Sequence, residues 1–228
     1  TRFWRIGLSV VPEVKRERVG VFGGTFDPIH VGHLIIAEIL RVRLSLVRVV
    51  FLPVGRPPHK PAQDLASDAD RIQMLTLSIV GSTHFSVSTI DIDRDGPSYT
   101  ADSLSVLRDQ LGNRCDLVFL MGQDSLRDFP TWDRPDLIAH QARLGVALRP
   151  GVDVSVDDVT RLVPALAGRV DLITVPLIGI SSRDLRRAVA EGGPYRFQVV
   201  PAVADYIDQH GLYREPAVTI SSHLQPTD

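Results

Sequence analysis

The chain has 228 residues, 44% of them apolar and 23% charged, with a formal net charge of −2. This suits a soluble globular protein long enough for one well-buried domain. It excludes a broad electrostatic footprint for nucleic acid, though not a local basic pocket.

Residues Thr1–Lys15 carry Arg2 and Arg5 but no continuous apolar segment and no small-residue cleavage site, so they do not read as a signal peptide. We expect residues 1–17 to be an extension, 18–214 a single domain and 215–228 a loose polar tail. Short runs rich in Val, Ile, Leu and Phe mark strands at Arg18–Phe22, Arg48–Leu52, Phe85–Ile92, Asp116–Met121, Leu144–Leu148 and Val170–Val175. Helical patterns fall between and after them, at Val31–Val42, Asp70–Val80, Thr100–Leu111, Arg134–Gln141, Val156–Leu166, Ser182–Glu191 and Pro201–His210. Such alternation implies right-handed βαβ crossovers. The expected fold is α/β: a Rossmann-like doubly wound, mostly parallel sheet with helices on both faces. Cys115 is the only cysteine, so no intrachain disulfide can form and a reducing, cytoplasmic compartment is expected. No apolar run approaches the ~20 residues that span a bilayer, so no membrane partner is expected.

Ligands of such sheets bind outside the carboxyl ends of the strands, and the polar, glycine-rich segments collect there. After the first strand the chain reads GGTFDPIHVGH, residues 23–33. It is not the dinucleotide fingerprint, because it lacks G-x-G-x-x-G. Gly23 and Gly24 let main-chain N–H groups approach phosphate oxygens. His30 and His33 stand at a helix mouth, where unpaired donors and the helix dipole favour an anion. Two histidines alone fall short of a metal site, and no nearby Cys or further His completes a ligand set. Near the other end, GISSRDLR (Gly179–Arg186) opens a helix. Ser181 with Asp184 fits a capping pattern, but capping leaves Arg183 and Arg186 unexplained. Cations in a first turn oppose the helix dipole unless an anion binds there.

The first of these motifs resembles the HxGH signature, and the second the ISSxxIR motif, of the nucleotidyltransferase superfamily, with Leu185 in place of the usual Ile. Between them stand Pro57–Lys60 (PPHK), Gly96–Thr100 (GPSYT), Gly122–Leu126 (GQDSL) and Phe129–Trp132 (FPTW). In this order, from about Arg18 to Arg214, they resemble the bacterial nicotinate-nucleotide adenylyltransferases. Other superfamily transferases should lack PPHK, GPSYT and FPTW together.

The resemblance implies transfer of the adenylyl group of ATP to nicotinate mononucleotide, with Mg2+ bound through ATP. It implies that His30 and His33 are catalytic and that Gly23, Gly24, Gly122, Asp124, Ile180, Ser181, Ser182, Arg183 and Arg186 join them in binding ATP. Thr25, Phe26, His59, Lys60, Thr100, Trp132 and Asp133 would bind the mononucleotide. Each also has a plainer reading, such as a solvated loop for His59 and Lys60 or a core plug for Trp132. The sequence leaves a homo-oligomer open.

Overall fold

The computed structural model describes residues 16–55, 65–151 and 154–214. Six strands form one sheet: β1 (Glu17–Gly24), β2 (Arg48–Pro53), β3 (Phe85–Val87), β4 (Cys115–Gly122), β5 (Ala142–Leu148) and β6 (Val170–Thr174). Their order is β3-β2-β1-β4-β5-β6 and all neighbours pair in parallel. Among the described residues eight α-helices accompany them: α1 (Val31–Arg43), α2 (Asp68–Ser78), α3 (Thr100–Leu111), α4 (Gln123–Asp128), α5 (Pro135–Gln141), α6 (Val156–Leu162), α7 (Ser182–Ala190) and α8 (Pro201–His210). Chain order reverses between β1 and β4, so a crevice is expected where those two strands end.

The inner strands β1, β2, β4 and β5 are buried on both faces, and successive side chains enter opposite layers. Phe22 of β1 and Val118 and Leu120 of β4 pack in one layer with Leu40, Met74, Leu185 and Ile207 from α1, α2, α7 and α8. Val19, Val21, Leu117, Phe119 and Met121 pack in the other with Leu104, Leu126, Ile138 and Val159 from α3, α4, α5 and α6. The helices therefore cover both faces, as the alternation of elements predicts.

Four expectations are corrected. The third strand ends at Val87 rather than Ile92. Beyond it Ile92 and Asp93 both donate to the Thr89 carbonyl at 2.8 Å, and the Thr89 hydroxyl donates to Asp93 at 2.6 Å. This turn draws the edge strand away from β2. The polar segment after β4 is helix α4 rather than loop. With six residues it is too short to show a helical period, and Leu126 is its only buried apolar residue. The helix expected over Val156–Leu166 stops at Leu162, and Pro164 begins a separate 3-10 turn, because proline inside a helix removes a donor and clashes with the preceding turn. At the amino end, β1 begins at Glu17, one residue earlier than anticipated.

Candidate active site at the carboxyl ends of β1 and β4

The β1–α1 loop forms the floor. Gly24 must lack a side chain, because a Cβ there would fall 2.8 Å from the Phe26 ring. Phe26 adopts φ +50°, a left-handed conformation uncommon for a bulky residue. The ring is held by Phe22, Phe51 and His33, with centroids 5.8, 5.6 and 5.2 Å away. Arg71 of α2, fully buried, donates to the Thr25 carbonyl at 2.8 Å and pairs with Asp68 at 2.5 Å.

His30 precedes α1 and His33 lies in its first turn. Their rings stack 3.7 Å apart at 26°. His33 Nδ1 accepts the His30 main-chain N–H at 3.3 Å. That bond puts the proton of a neutral His33 on Nε2. Burial pushes the His30 imidazole down to about 4. His33 is held well below the ordinary value, first by burial and then by His30 beside it. Near neutral pH both rings are uncharged N–H donors. A triphosphate beside them would favour their charged forms.

Helix α7 closes the opposite wall. Ser181 caps it by accepting the Asp184 N–H at 3.1 Å, as the capping pattern anticipates. The Ser182 hydroxyl donates to the Pro28 carbonyl at 2.9 Å, which ties α7 to the segment before His30. Arg183 is exposed, with no hydrogen bond or close ion pair among the described residues. Arg186 turns the other way. Its Nη1 donates to the Asp27 carbonyl at 2.6 Å and stands 3.6 Å from the Asp27 carboxylate. Ile180 is partly buried against the core layer under α1.

The remaining candidates lie beyond β4. Gly122 ends that strand and Asp124 opens α4, where it pairs with Arg149 at the end of β5. Beside it Gln123, 1% exposed, accepts the Arg149 N–H at 2.8 Å. Trp132 is half-buried. Its ring meets Phe129 at 5.5 Å and the edge of Phe119 at 5.9 Å. Phe119 in turn lies where a Cβ on Gly23 would come within 3.2 Å, so this ring stands between Gly23 and Trp132. Thr100 begins α3, and the next turn of the site is joined to it: Asp102 pairs with Arg134 at 2.8 Å, and Asp133 with Arg134 at 2.5 Å.

The structure thus gathers His30, His33, Ser181, Ser182, Arg183 and Arg186 around one cradle. It joins α3, which Thr100 begins, to the Trp132–Arg134 segment through the Asp102–Arg134 and Asp133–Arg134 pairs. His59 and Lys60 lie outside the described residues. Sequence reasoning gave no role to Asp27, Arg71, Arg149 or Tyr213. A buried arginine in a helix, such as Arg71, has no local pattern that separates it from a surface one. Among the described residues no three His, Cys, Asp or Glu side chains converge to hold a metal ion, and no helix is long and apolar enough to cross a membrane.

Comparison with known proteins agrees with this geometry. A family model described as cytidylyltransferase-like matches residues 21–188. A protein of Thermomicrobium roseum named "Probable nicotinate-nucleotide adenylyltransferase" is 53% identical, covering 87% of this chain and 92% of its own length. One of the same name from Roseiflexus sp. strain RS-1 is 45% identical, covering 86% of this chain and 98% of its own. The fold resembles that of Plasmodium falciparum nicotinic acid mononucleotide adenylyltransferase complexed with NaAD, with a TM-score of 0.69 at 19% identity, over 86% of this chain and 97% of that one. On the strength of these matches and of the site they span, the chain belongs to the cytidylyltransferase-like family and, within it, to the nicotinate-nucleotide adenylyltransferases.

Proposed function

We propose that this enzyme transfers the adenylyl group of ATP to nicotinate mononucleotide in the synthesis of NAD. The observation that carries the reading is the cradle built jointly by the β1–α1 loop and α7, with two neutral imidazole donors on one side and two arginines on the other. An oxygen of the mononucleotide 5′-phosphate attacks the α-phosphorus of ATP. The bond from that phosphorus to the bridging oxygen breaks, and pyrophosphate leaves with the electron pair. The products are nicotinate adenine dinucleotide and pyrophosphate.

The attacking phosphate is anionic at neutral pH, so the site needs neither a general base nor a covalent intermediate. Its work is to align two polyanions and to stabilise charge added in the transition state. His33 Nε2–H and His30 are the donors for that charge. Arg183, Arg186, Ser181, Ser182 and Ile180 flank the triphosphate. Gly23 and Gly24 shape the floor, and Gly122 and Asp124 meet the adenosine part. A divalent cation, magnesium in this reading, would arrive on the triphosphate, since no protein cage offers itself among the described residues, and would screen the phosphates from each other.

Thr25 and Phe26 adjoin the mononucleotide, with His59 and Lys60 as partners of its phosphate. Trp132 stacks on the pyridine ring, and main-chain donors at Thr100 and Asp133 meet the nicotinate carboxylate. Such donors suit a group that only accepts hydrogen bonds, and would face an amide N–H with another donor. The cytoplasm is the compartment we assign to this reaction.

Pyrophosphate release is measured with ATP and either nicotinate or nicotinamide mononucleotide. We expect turnover with the first to exceed that with the second. Equal turnover of both would remove the carboxylate subsite, and turnover of neither would remove the reaction.

A further inference from the structure

Asp27 lies in the middle of the floor loop, yet its side chain is only 2% exposed. Its Oδ1 accepts the Tyr213 hydroxyl at 2.6 Å and the Ala66 N–H at 3.3 Å. Its Oδ2 is buried with no hydrogen bond and stands 3.6 Å from Arg186 Nη1. The same nitrogen donates to the Asp27 carbonyl at 2.6 Å. Four segments meet at this one residue: the β1–α1 loop, the chain entering α2, helix α7 and the turn that follows α8.

The turn after α8 is shaped for the contact. Gly211 and Tyr213 both take left-handed backbone, at φ +60° and +64°. Glycine adopts this freely, whereas for tyrosine it is strained unless the surroundings hold it. The Tyr213 hydroxyl also lies 3.9 Å from Met74 Sδ. Burial and the adjacent Asp27 charge raise the Tyr213 pKa, so its hydroxyl remains a donor across the working pH range.

A buried carboxylate with one unpaired oxygen strongly favours a nearby cation. Arg186 is that cation. The carboxylate and carbonyl of Asp27 hold one guanidinium nitrogen against the floor loop, and a guanidinium has further donors for an anion.

We propose that Asp27, oriented by Tyr213, is a positioning residue that fixes Arg186 for the triphosphate of ATP. The inference rests on the reaction proposed above, and it makes the turn after α8 part of the ATP site although that turn lies behind the floor loop.

The test uses the full chain. Tyr213→Phe removes one hydroxyl and keeps the ring. It should raise KM for ATP on the order of fivefold, with kcat and KM for the mononucleotide unchanged within about twofold, the scatter of a neutral substitution. Asp27→Asn should raise KM for ATP on the order of tenfold or more. In an Arg186→Lys background, Tyr213→Phe should have no further effect, because the fixed fork it serves is gone. An unchanged KM for ATP overturns the proposal. So does a parallel change in kcat and both KM values, or a Tyr213→Phe effect that persists beside Arg186→Lys. The rise in Tm produced by ATP without mononucleotide separates the two readings. If Tyr213→Phe diminishes that rise, the network stands even where neither mononucleotide turns over. If wild type and variant respond alike, or ATP protects neither, the network falls.

Discussion

Two imidazoles stacked 3.7 Å apart, both with depressed pKa values, are uncharged near neutral pH in the unliganded chain, and in the proposed reaction they serve as donors. His33→Ala removes Nε2–H and the acceptor of the His30 N–H together. It should lower kcat by on the order of 10² or more. An unchanged kcat in steady-state assays would take His33 out of the catalytic set. The same rings make stability depend on pH. In the folded chain His30 titrates at about 4, against 6.5 for the free group. Between those values the unfolded chain binds more protons, so stability is full above about pH 6.5 and falls as pH drops towards 4. His30 alone accounts for up to about 3 kcal/mol of that loss. Urea unfolding at pH 7 and 4.5 checks it: His30→Gln should shrink the difference between the two midpoints, and a difference equal to that of wild type would refute the assignment. Trp132 offers a further residue-scale test. Its packing on Phe119 and Phe129 fits a core plug as well as a stacking platform. Trp132→Ala should raise KM for the mononucleotide more than KM for ATP, whereas equal effects favour the plug.

Among the elements, β1, its loop and α1 are joined by one cluster of rings. Phe26 is enclosed by Phe22, Phe51 and His33, so it cannot retreat from a side chain added at Gly24. Gly24→Ala should therefore cost about 1–3 kcal/mol by overpacking. That corresponds to a fall in Tm of roughly 2–12 °C in a chain of this size. A melting curve superimposable on wild type would show that the loop yields. The long buried strands were readable because apolar runs flanked by polar turns have few other uses. Helix α4 was not, since six residues give no period to detect, and the early end of β3 followed from a side-chain turn at Thr89 that competes with the sheet.

For the molecule as a whole, the doubly wound sheet brings the ends of β1 and β4 side by side, at the crevice where the proposed reaction would join its two substrates. The described residues hold no metal-binding cluster, and in the proposed reaction the divalent cation comes with ATP. A chelator should abolish pyrophosphate release while leaving the Tm of the unliganded protein unchanged. A fall in that Tm would point to a structural ion.

The sequence by itself determined the α/β class and most of its elements. It also singled out the two segments here proposed to bind phosphate, because glycines, capping serines and periodic apolar residues act on near neighbours along the chain. Only the tertiary structure decided which polar groups are paired. Arg186 and Tyr213 reach Asp27 across 159 and 186 residues, separations at which no local period operates. Their meeting depends on the order in which the chain lays strands and helices over the sheet. An unpaired oxygen on Asp27, inconspicuous in the sequence, matters because the fold removes it from water and leaves an arginine as its nearest counter-charge.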